Sequence, residues 1–257
     1  MTTWQLVLAS YTPEKRSWDH TYPWIYYGAR PLSFPLTWLA FALRLTPNQV
    51  TFLSLVAGVG AFVLIAMGES GFLAGSCLFA LLNILDCVDG NLARMSRSSS
   101  PSGKFYDSAV GLVFYLIYFV LGIGLYQTPD SSLSQVLSPF GVGTVPPVVY
   151  VLLGAIATLC RFLGLHVQSI FTSALGPTWE TKKAAEGEDV PLHKRSYYRI
   201  YHNLTDIQGQ DPILIGAAAT GRVGLYLALS AVIQILNLAG LVGLFVRRAR
   251  HLSRPPA

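Results

Sequence analysis

Long apolar segments constrain the fold of this chain more than any other feature of its sequence. Four of them cover roughly residues 50–67, 71–88, 105–126 and 148–171, and each is close to the ~20 residues that a helix needs to cross a bilayer. A fifth apolar stretch, 212–246, has about 35 residues and is predicted to form two short spans. Only 12% of all residues are charged, about half the fraction that is usual in soluble domains. The sequence therefore predicts an all-α, polytopic membrane protein with about six transmembrane helices.

Residues 1–45 form a different kind of segment, rich in aromatic residues and proline. They contain no basic region followed by a long apolar run, so no cleavable signal peptide is expected. The stretch 32–45 is too short to span, and its tryptophan and arginine are typical of an amphipathic helix in the membrane interface. A packed N-terminal helix without lipid contact is the alternative. We divide the chain into this N-terminal interfacial segment, a transmembrane domain over 46–250 and a basic C-terminal tail over 251–257.

The Lys and Arg residues indicate how the chain is oriented. The net charge is +5, but the basic residues lie in the gaps between apolar segments, which does not favour nucleic-acid binding. With six spans and both termini in the cytoplasm, all eighteen Lys and Arg residues except Arg161 and Arg222 fall on the cytoplasmic side or at its interface. The loops at 68–70 and 127–147 carry none. We therefore expect an integral multi-pass protein of the cell membrane or of an internal membrane such as the endoplasmic reticulum.

Three aspartates lie beside the apolar segments. Asp86 and Asp89 end the second predicted span, and Asp107 lies in the first turn of the third after a short polar loop. Carboxylates are costly next to a bilayer unless a cation compensates them, and three hard oxygen donors suit Mg2+ or Mn2+. Asp86 and Asp89 are three residues apart, so on a helix they share one face. With Arg94 as a bidentate phosphate ligand, the arrangement predicts a metal site for a phosphate-bearing substrate at the cytoplasmic face.

The spacing of these residues resembles the signature of the CDP-alcohol phosphotransferase (CDP-alcohol phosphatidyltransferase) family, D-x2-D-G-x2-A-R-x8-G-x3-D-x3-D. The matching positions are Asp86, Asp89, Gly90, Ala93, Arg94, Gly103 and Asp107. A P-N-x-x-T stretch with Asn48 and Thr51 also looks like the start of the family's first helix. The resemblance implies a six-helix, usually dimeric membrane enzyme. Such an enzyme displaces CMP from a CDP-linked alcohol with an acceptor hydroxyl, typically in phospholipid or related membrane-lipid synthesis.

The resemblance also implies a role for each matching residue. The expected ligands of Mg2+ or Mn2+ are Asp86, Asp89 and Asp107. The residues expected to bind the CDP part of the donor are Gly90, Ala93, Arg94 and Gly103. The expected partners are a CDP-linked alcohol or lipid donor, membrane lipids and a second copy of the chain in a homodimer.

The chain departs from the signature at its last position, where Gly111 stands in place of the fourth aspartate. In the family this aspartate is thought to be the general base that takes the acceptor's proton. Loss of a positioned base typically lowers the rate ~100- to 10,000-fold. Another side chain can serve as base, the acceptor can be already ionised or activated by metal, or the protein can bind without turnover. The alternatives to a transferase are therefore a CDP- and metal-binding pseudoenzyme or regulatory subunit, and a CDP-alcohol hydrolase.

Few residues are candidates for a substitute base. His166 lies in the fourth span, where a histidine that only packs is the simpler interpretation. His202 and Asp206 precede the fifth span on the cytoplasmic side, where they can fold over the site or simply belong to a solvated loop. Arg161 lies within the fourth span, and a charge there is predicted either to bind the phosphate of an acceptor or to form a structural ion pair. The catalytic residue is therefore unassigned from the sequence.

Overall fold

The described part of the chain is helical. A computed structural model describes residues 2–96, 101–175 and 196–252, and these contain no β-strand. The helices are α1 Thr3–Ala9, α2 Pro13–Asp19, α3 Arg30–Ala42, α4 Pro47–Ala66, α5 Glu69–Ser96, α6 Pro101–Phe114, α7 Ile117–Gln127, α8 Ser132–Leu137, α9 Pro147–Leu175, α10 Ser196–Thr205, α11 Asp211–Ala219 and α12 Val223–Leu252. The prediction of an all-α fold is confirmed.

Five helical stretches among the described residues are long and apolar enough to cross a bilayer. They are Pro47–Ala66, Glu69–Ser96, Ser108–Gln127, Pro147–Phe171 and Val223–Arg247. The first of them begins three residues before the predicted apolar segment 50–67, at a point where Thr46 and Gln49 cap each other. The Thr46 side chain accepts the backbone N–H of Gln49, and the Gln49 side chain accepts the backbone N–H of Thr46 (2.8 Å). A multi-pass membrane protein is therefore confirmed.

The second span is longer than predicted. α5 continues beyond the two signature aspartates to Ser96, so these lie within the helix and not at its end. The sequence predicted a loop over 95–103, but residues 95–96 and 101–103 are helical. Residues 97–100 lie outside the described part of the chain. A single Gly90 costs the helix only ~1 kcal/mol, and the buried Leu92 beyond it packs in the core. The signature from its first aspartate to its arginine is therefore carried by one helix.

The third span, predicted as one continuous helix over 105–126, is broken in the structure. A two-residue turn separates α6 from α7, and in it the N–H of Leu116 donates to the carbonyl of Val113 (3.0 Å). The carbonyl of Tyr115 accepts a hydrogen bond from the hydroxyl of Thr158 on α9 (3.3 Å). The turn contains no proline that would break the helix locally. The contact with α9 is therefore the interaction to which we attribute the break.

The sixth crossing is not confirmed. Tyr150 near the start of α9 donates to the backbone oxygen of Asp130 (3.0 Å), and Gly224 at the start of α12 donates to the carboxylate of the same residue (2.6 Å). α9 and α12 therefore begin at one end of the molecule and run parallel. The chain has to return between them, and the described part of that return contains α10 and α11. α11 has nine residues and is therefore ~14 Å long, about half the thickness of the hydrocarbon core. The stretch 212–246 thus does not contain two spans of comparable length.

Glycines bring α7 and α9 together. A Cβ at Gly122 would overlap the backbone carbonyl of Tyr150, and a Cβ at Gly154 would overlap that of Tyr118. Small residues at such crossings let the backbones of two membrane helices approach closely. This packing fixes the break after α6 against the middle of α9.

Polar contacts attach the N-terminal segment to α5. The buried Arg30 pairs with Asp19 (2.8 Å), and its Nη1 donates to Oδ1 of Asn91 on α5 (3.0 Å). The Nδ2 of Asn91 donates to the hydroxyls of Ser33 (3.2 Å) and Thr37 (3.1 Å) on α3. α3 also exposes large apolar side chains on its other face. The segment therefore packs on the signature helix, while its position in the membrane interface stays a prediction.

Candidate active site

One of the two signature aspartates of α5 contacts the start of α4. Asp89 is buried, and its Oδ2 accepts a hydrogen bond from the hydroxyl of Thr51 (2.6 Å). Asp86 is half-buried and lies one turn earlier on the same helix face. The fold therefore brings the P-N-x-x-T stretch into contact with the aspartate motif, although the two contacting residues are 38 apart in sequence.

Asp107 lies in the second turn of α6, not in the first turn of the third span. Its side chain is outside the described part of the structure, so the meeting of three carboxylates stays a prediction. The helix that carries it packs against α4, which also carries Thr51.

The described donors fit a divalent cation. Two carboxylates one turn apart offer the hard oxygens that Mg2+ and Mn2+ prefer, and the hydrogen bond from Thr51 fixes the orientation of Asp89. A Cβ at Gly90 would lie 3.4 Å from Nη1 of Arg94. The glycine therefore keeps the surface between the aspartate and the arginine clear for a close approach of substrate.

Arg94 is engaged with the protein through two of its three nitrogens. Its Nε donates to the backbone oxygen of Ser10 (2.6 Å), and its Nη2 donates to Oδ1 of Asn91 (2.8 Å). Arg94 and Arg30 therefore share one acceptor on Asn91, which ties both guanidinium groups to α5. The N-terminal segment therefore helps to fix the orientation of Arg94, the residue expected to bind phosphate.

Gly111 faces open space. A Cβ built at this position meets no atom of the described residues within 4 Å, so crowding by them does not explain the absent carboxylate. An aspartate side chain has room here on the same helix as Asp107.

A second polar cluster, named here the Asp206 cluster, includes Tyr115 of the turn between α6 and α7. It consists of Tyr22, Tyr115, Arg161, His202 and Asp206. The two oxygens of Asp206 accept hydrogen bonds from Tyr115 (3.2 Å) and Tyr22 (3.1 Å), and Nη2 of Arg161 lies 3.7 Å from Oδ2. Arg161 also donates to the Tyr115 hydroxyl (2.8 Å), and Nδ1 of His202 lies 3.2 Å from the hydroxyl of Tyr22. The structure thus brings together three residues that the sequence singled out separately.

Burial controls the charge of the histidine in this cluster. It lowers the pKa of His202 below its ordinary value of 6.5, while Asp206 opposes this effect and Arg161 reinforces it. The imidazole is therefore neutral at neutral pH. His166, in contrast, is exposed on α9, and its position five residues after Arg161 turns it away from the cluster.

Asp211 links the start of α11 to the helix that carries the aspartate motif. It is buried at the start of α11, and its Oδ2 accepts hydrogen bonds from Asn83 on α5 (2.7 Å) and from Trp24 (2.8 Å). Asn83 precedes Asp86 by three residues and shares its helix face. The segment that follows α10 is therefore fixed against α5, one turn before the first signature aspartate.

Residues 44–185 match the family model of CDP-alcohol phosphatidyltransferase. The chain belongs to this family. Membership indicates a membrane transferase that moves a phosphoryl-alcohol group from a CDP-alcohol in lipid synthesis, in a family generally dependent on Mg2+ or Mn2+. The match includes the aspartate motif and Arg161 but ends before His202 and Asp206. No individual curated protein matches the chain.

Several residues that build the CDP-alcohol phosphatidyltransferase site carry no motif. Tyr115 has the clearest signal, because four residues after Gly111 it would share a face with it in an unbroken helix, although the structure places it in the turn after α6. Asn83 and Asn91 are amides in an otherwise apolar stretch, which marks them as polar contacts between helices. Tyr22 stands among many aromatic residues, and nothing in the sequence separates it from them.

Proposed function

We propose that the protein catalyses the Mg2+- or Mn2+-dependent transfer of a phosphoryl-alcohol group from a CDP-linked donor to an acceptor alcohol. CMP is released, and the product belongs to phospholipid or related membrane-lipid synthesis. One observation supports this most: Asp86 and Asp89 lie on one face of α5, with Asp89 held by Thr51, in a member of this family. The reaction takes place at the cytoplasmic face of a homodimer, as the charge distribution and the resemblance predict.

The residues divide between the two halves of the donor. Asp86, Asp89 and Asp107 would hold the metal, which when bound neutralises the charge of the diphosphate. The residues that contact the CDP part are Gly90, Ala93, Arg94 and Gly103. The acceptor oxygen bonds to the phosphorus that carries the alcohol, the anhydride bond breaks and CMP leaves with its electron pair.

Arg161 recognises the acceptor in this proposal. It is buried at 9% exposure, and its Nε has no hydrogen-bond partner among the described residues. A buried donor without a partner is costly, so an acceptor that brings an anionic oxygen would satisfy it. The proposed acceptor class is therefore an alcohol that also carries a phosphate or carboxylate.

A second function is favoured by Gly111. Without a carboxylate at the position of the usual base, the same scaffold can bind metal and CDP as a pseudoenzyme or a regulatory subunit. This alternative predicts metal-dependent CDP binding that Asp86→Ala abolishes, and no turnover in the unaltered protein.

The test is CMP release by purified protein in detergent with Mg2+ or Mn2+. Donors are CDP-diacylglycerol, CDP-choline and CDP-ethanolamine, with and without a panel of anionic alcohols. Transfer predicts release that needs an acceptor and is lost in Asp107→Ala and Asp86→Asn. Glu69→Gln at the opposite, exposed end of α5 is the matched control. Release that ignores the acceptor contradicts transfer and indicates a hydrolase, whereas metal-dependent CDP binding without release indicates the pseudoenzyme.

A further inference from the structure

A pocket lies where α3 of the N-terminal segment meets the start of α4 and the end of α5. It has a volume of about 640 Å³, and its apolar wall includes Trp38, Phe41 and Leu92. Arg44 is the one charged residue among the described residues that line it, and we call it the Arg44 pocket. The volume is typical of sites for small organic molecules, so a free phosphate ion would leave most of the pocket empty.

The Arg44 pocket lies at the level of the lipid head groups. α4 begins at Pro47 and α5 ends at Ser96, and both of these residues line the pocket. α5 has 28 residues and is therefore ~42 Å long, the thickness of a bilayer that includes its head-group regions. The exposed Trp38 is of the residue type that is enriched at this level. A phospholipid is therefore the ligand that a membrane presents to this pocket.

Arg44 stands at a backbone position that favours glycine. α3 ends in a Schellman motif, in which the N–H of Leu45 donates to the carbonyl of Ala40 (2.9 Å) and the N–H of Arg44 donates to that of Phe41 (3.0 Å). The motif gives Arg44 a φ of 57°, and no other described residue except glycine has a positive φ. The chain thus keeps an arginine where glycine would be less strained, which indicates a use for its side chain.

The guanidinium of Arg44 is available for an external anion. Arg44 is exposed, and its side chain forms no hydrogen bond or ion pair with a described residue. The side chains of Arg30, Arg94 and Arg161, in contrast, are all bound by the protein. A guanidinium group binds phosphate oxygens in a bidentate way, and basic residues at the membrane surface attract anionic lipids.

We propose that the Arg44 pocket binds one anionic phospholipid, with the lipid phosphate on Arg44 and the first part of the acyl chains against Trp38, Phe41 and Leu92. The charge of Arg44 selects an anionic lipid over a zwitterionic one, and the apolar wall selects a lipid over a soluble phosphate. The bound lipid connects α3 to the ends of α4 and α5, and therefore stabilises the junction between the N-terminal segment and the signature helix. This binding site is separate from the proposed transfer reaction and needs no turnover.

The test measures lipid binding to purified protein in detergent by native mass spectrometry. Phosphatidylglycerol is the anionic probe, and phosphatidylcholine is its zwitterionic counterpart. The unaltered protein should retain one phosphatidylglycerol more tightly than phosphatidylcholine. Arg44→Gln and Arg44→Gly should lower the affinity for phosphatidylglycerol at least about tenfold. Arg199→Gln, which removes an exposed arginine of α10, is the matched control and should stay within about twofold.

Arg44→Gly separates a lost binding site from a damaged fold. Glycine suits the φ of 57°, so this variant should unfold at a higher temperature than the unaltered protein in lipid-free detergent. Added phosphatidylglycerol should then raise the unfolding temperature of the unaltered protein but not that of Arg44→Gly.

Three results would overturn the inference. The first is an affinity for phosphatidylglycerol that Arg44→Gly retains within about twofold. The second is an equal loss of affinity in Arg199→Gln, which would indicate general attraction by surface charge. The third is displacement of the lipid by inorganic phosphate, which would assign the pocket to a soluble anion. Because the measured quantity is lipid binding, these results do not depend on whether the protein transfers a phosphoryl-alcohol group.

Discussion

The two halves of the site differ in how the chain builds them. The donor half lies mainly on one helix, α5, where the signature residues between Asp86 and Arg94 follow one another within three turns. The acceptor half, the Asp206 cluster, takes its side chains from separate segments, and Tyr22 and His202 are 180 residues apart in sequence. In the proposed function, a rigid local motif binds the nucleotide and the metal ion, while the acceptor meets an assembly that only the complete fold creates. The proposal therefore predicts that acceptor specificity can change without altering donor binding.

The largest expected effect belongs to the donor half. Asp89→Asn keeps the shape of the side chain beside Thr51 but removes the charge that would hold the metal. Metal-ion stabilisation is worth several kcal/mol and each ~1.4 kcal/mol is tenfold, so CMP release should fall ~1,000-fold or more. Metal-dependent CDP binding, measured by calorimetry, should fall with it. Glu69→Gln on the same helix is the control, and unchanged CDP affinity in Asp89→Asn would contradict the assignment of the donor half.

The next effect tests whether the N-terminal segment supports the donor half. Asp19→Asn leaves the buried Arg30 without its ionic partner, and breaking a buried pair costs ~3–5 kcal/mol. The unfolding temperature in detergent should drop clearly, and CDP affinity should weaken because Arg30 and Arg94 share Asn91. Glu14→Gln, an exposed acid on the same helix α2, should leave both unchanged. A stable Asp19→Asn protein with normal CDP affinity would show that this segment does not support the site.

A substitution in the acceptor half should change the KM of the acceptor and leave the affinity for CDP unchanged. Arg161→Gln removes the buried cation, and a hydrogen bond to a charged group is worth ~1.5–3 kcal/mol, so the acceptor KM should rise ~10- to 100-fold. CDP binding should stay within about twofold. Arg222→Gln, an exposed arginine between α11 and α12, is the matched control. A loss of CDP affinity in Arg161→Gln would show that the two halves are not separable.

The smallest effect concerns the hydrogen bond that Tyr22 donates to Asp206. Tyr22→Phe removes the hydroxyl between His202 and Asp206, a contribution of ~1 to 1.5 kcal/mol. The acceptor KM should rise at most about tenfold at unchanged CDP affinity, because Oδ2 of Asp206 loses this donor and Arg161 lies 3.7 Å from the same oxygen. Tyr27→Phe, at an exposed tyrosine of the same segment, should change neither. A loss of CDP affinity in Tyr22→Phe would contradict its place in the acceptor half.

Sequence reasoning succeeded where structure is set locally. Apolar length predicted the first four spans, and helical spacing predicted that Asp86 and Asp89 share one face. It failed where long-range contacts decide: the break before α7 depends on Thr158 of α9, and the extension of α5 on the packing of Leu92. The Asp206 cluster was not predictable, because a tyrosine near the N-terminus has no local signal for a partner 180 residues away.

The most direct test of the central claim follows the group that is transferred. The donor is labelled in its alcohol part, and the product is separated by thin-layer chromatography with Mg2+ or Mn2+ and an anionic alcohol present. The account predicts a new labelled lipid that forms one for one with CMP and only when acceptor is added. Labelled phosphoalcohol released to water, or CMP without a labelled product, would contradict transfer.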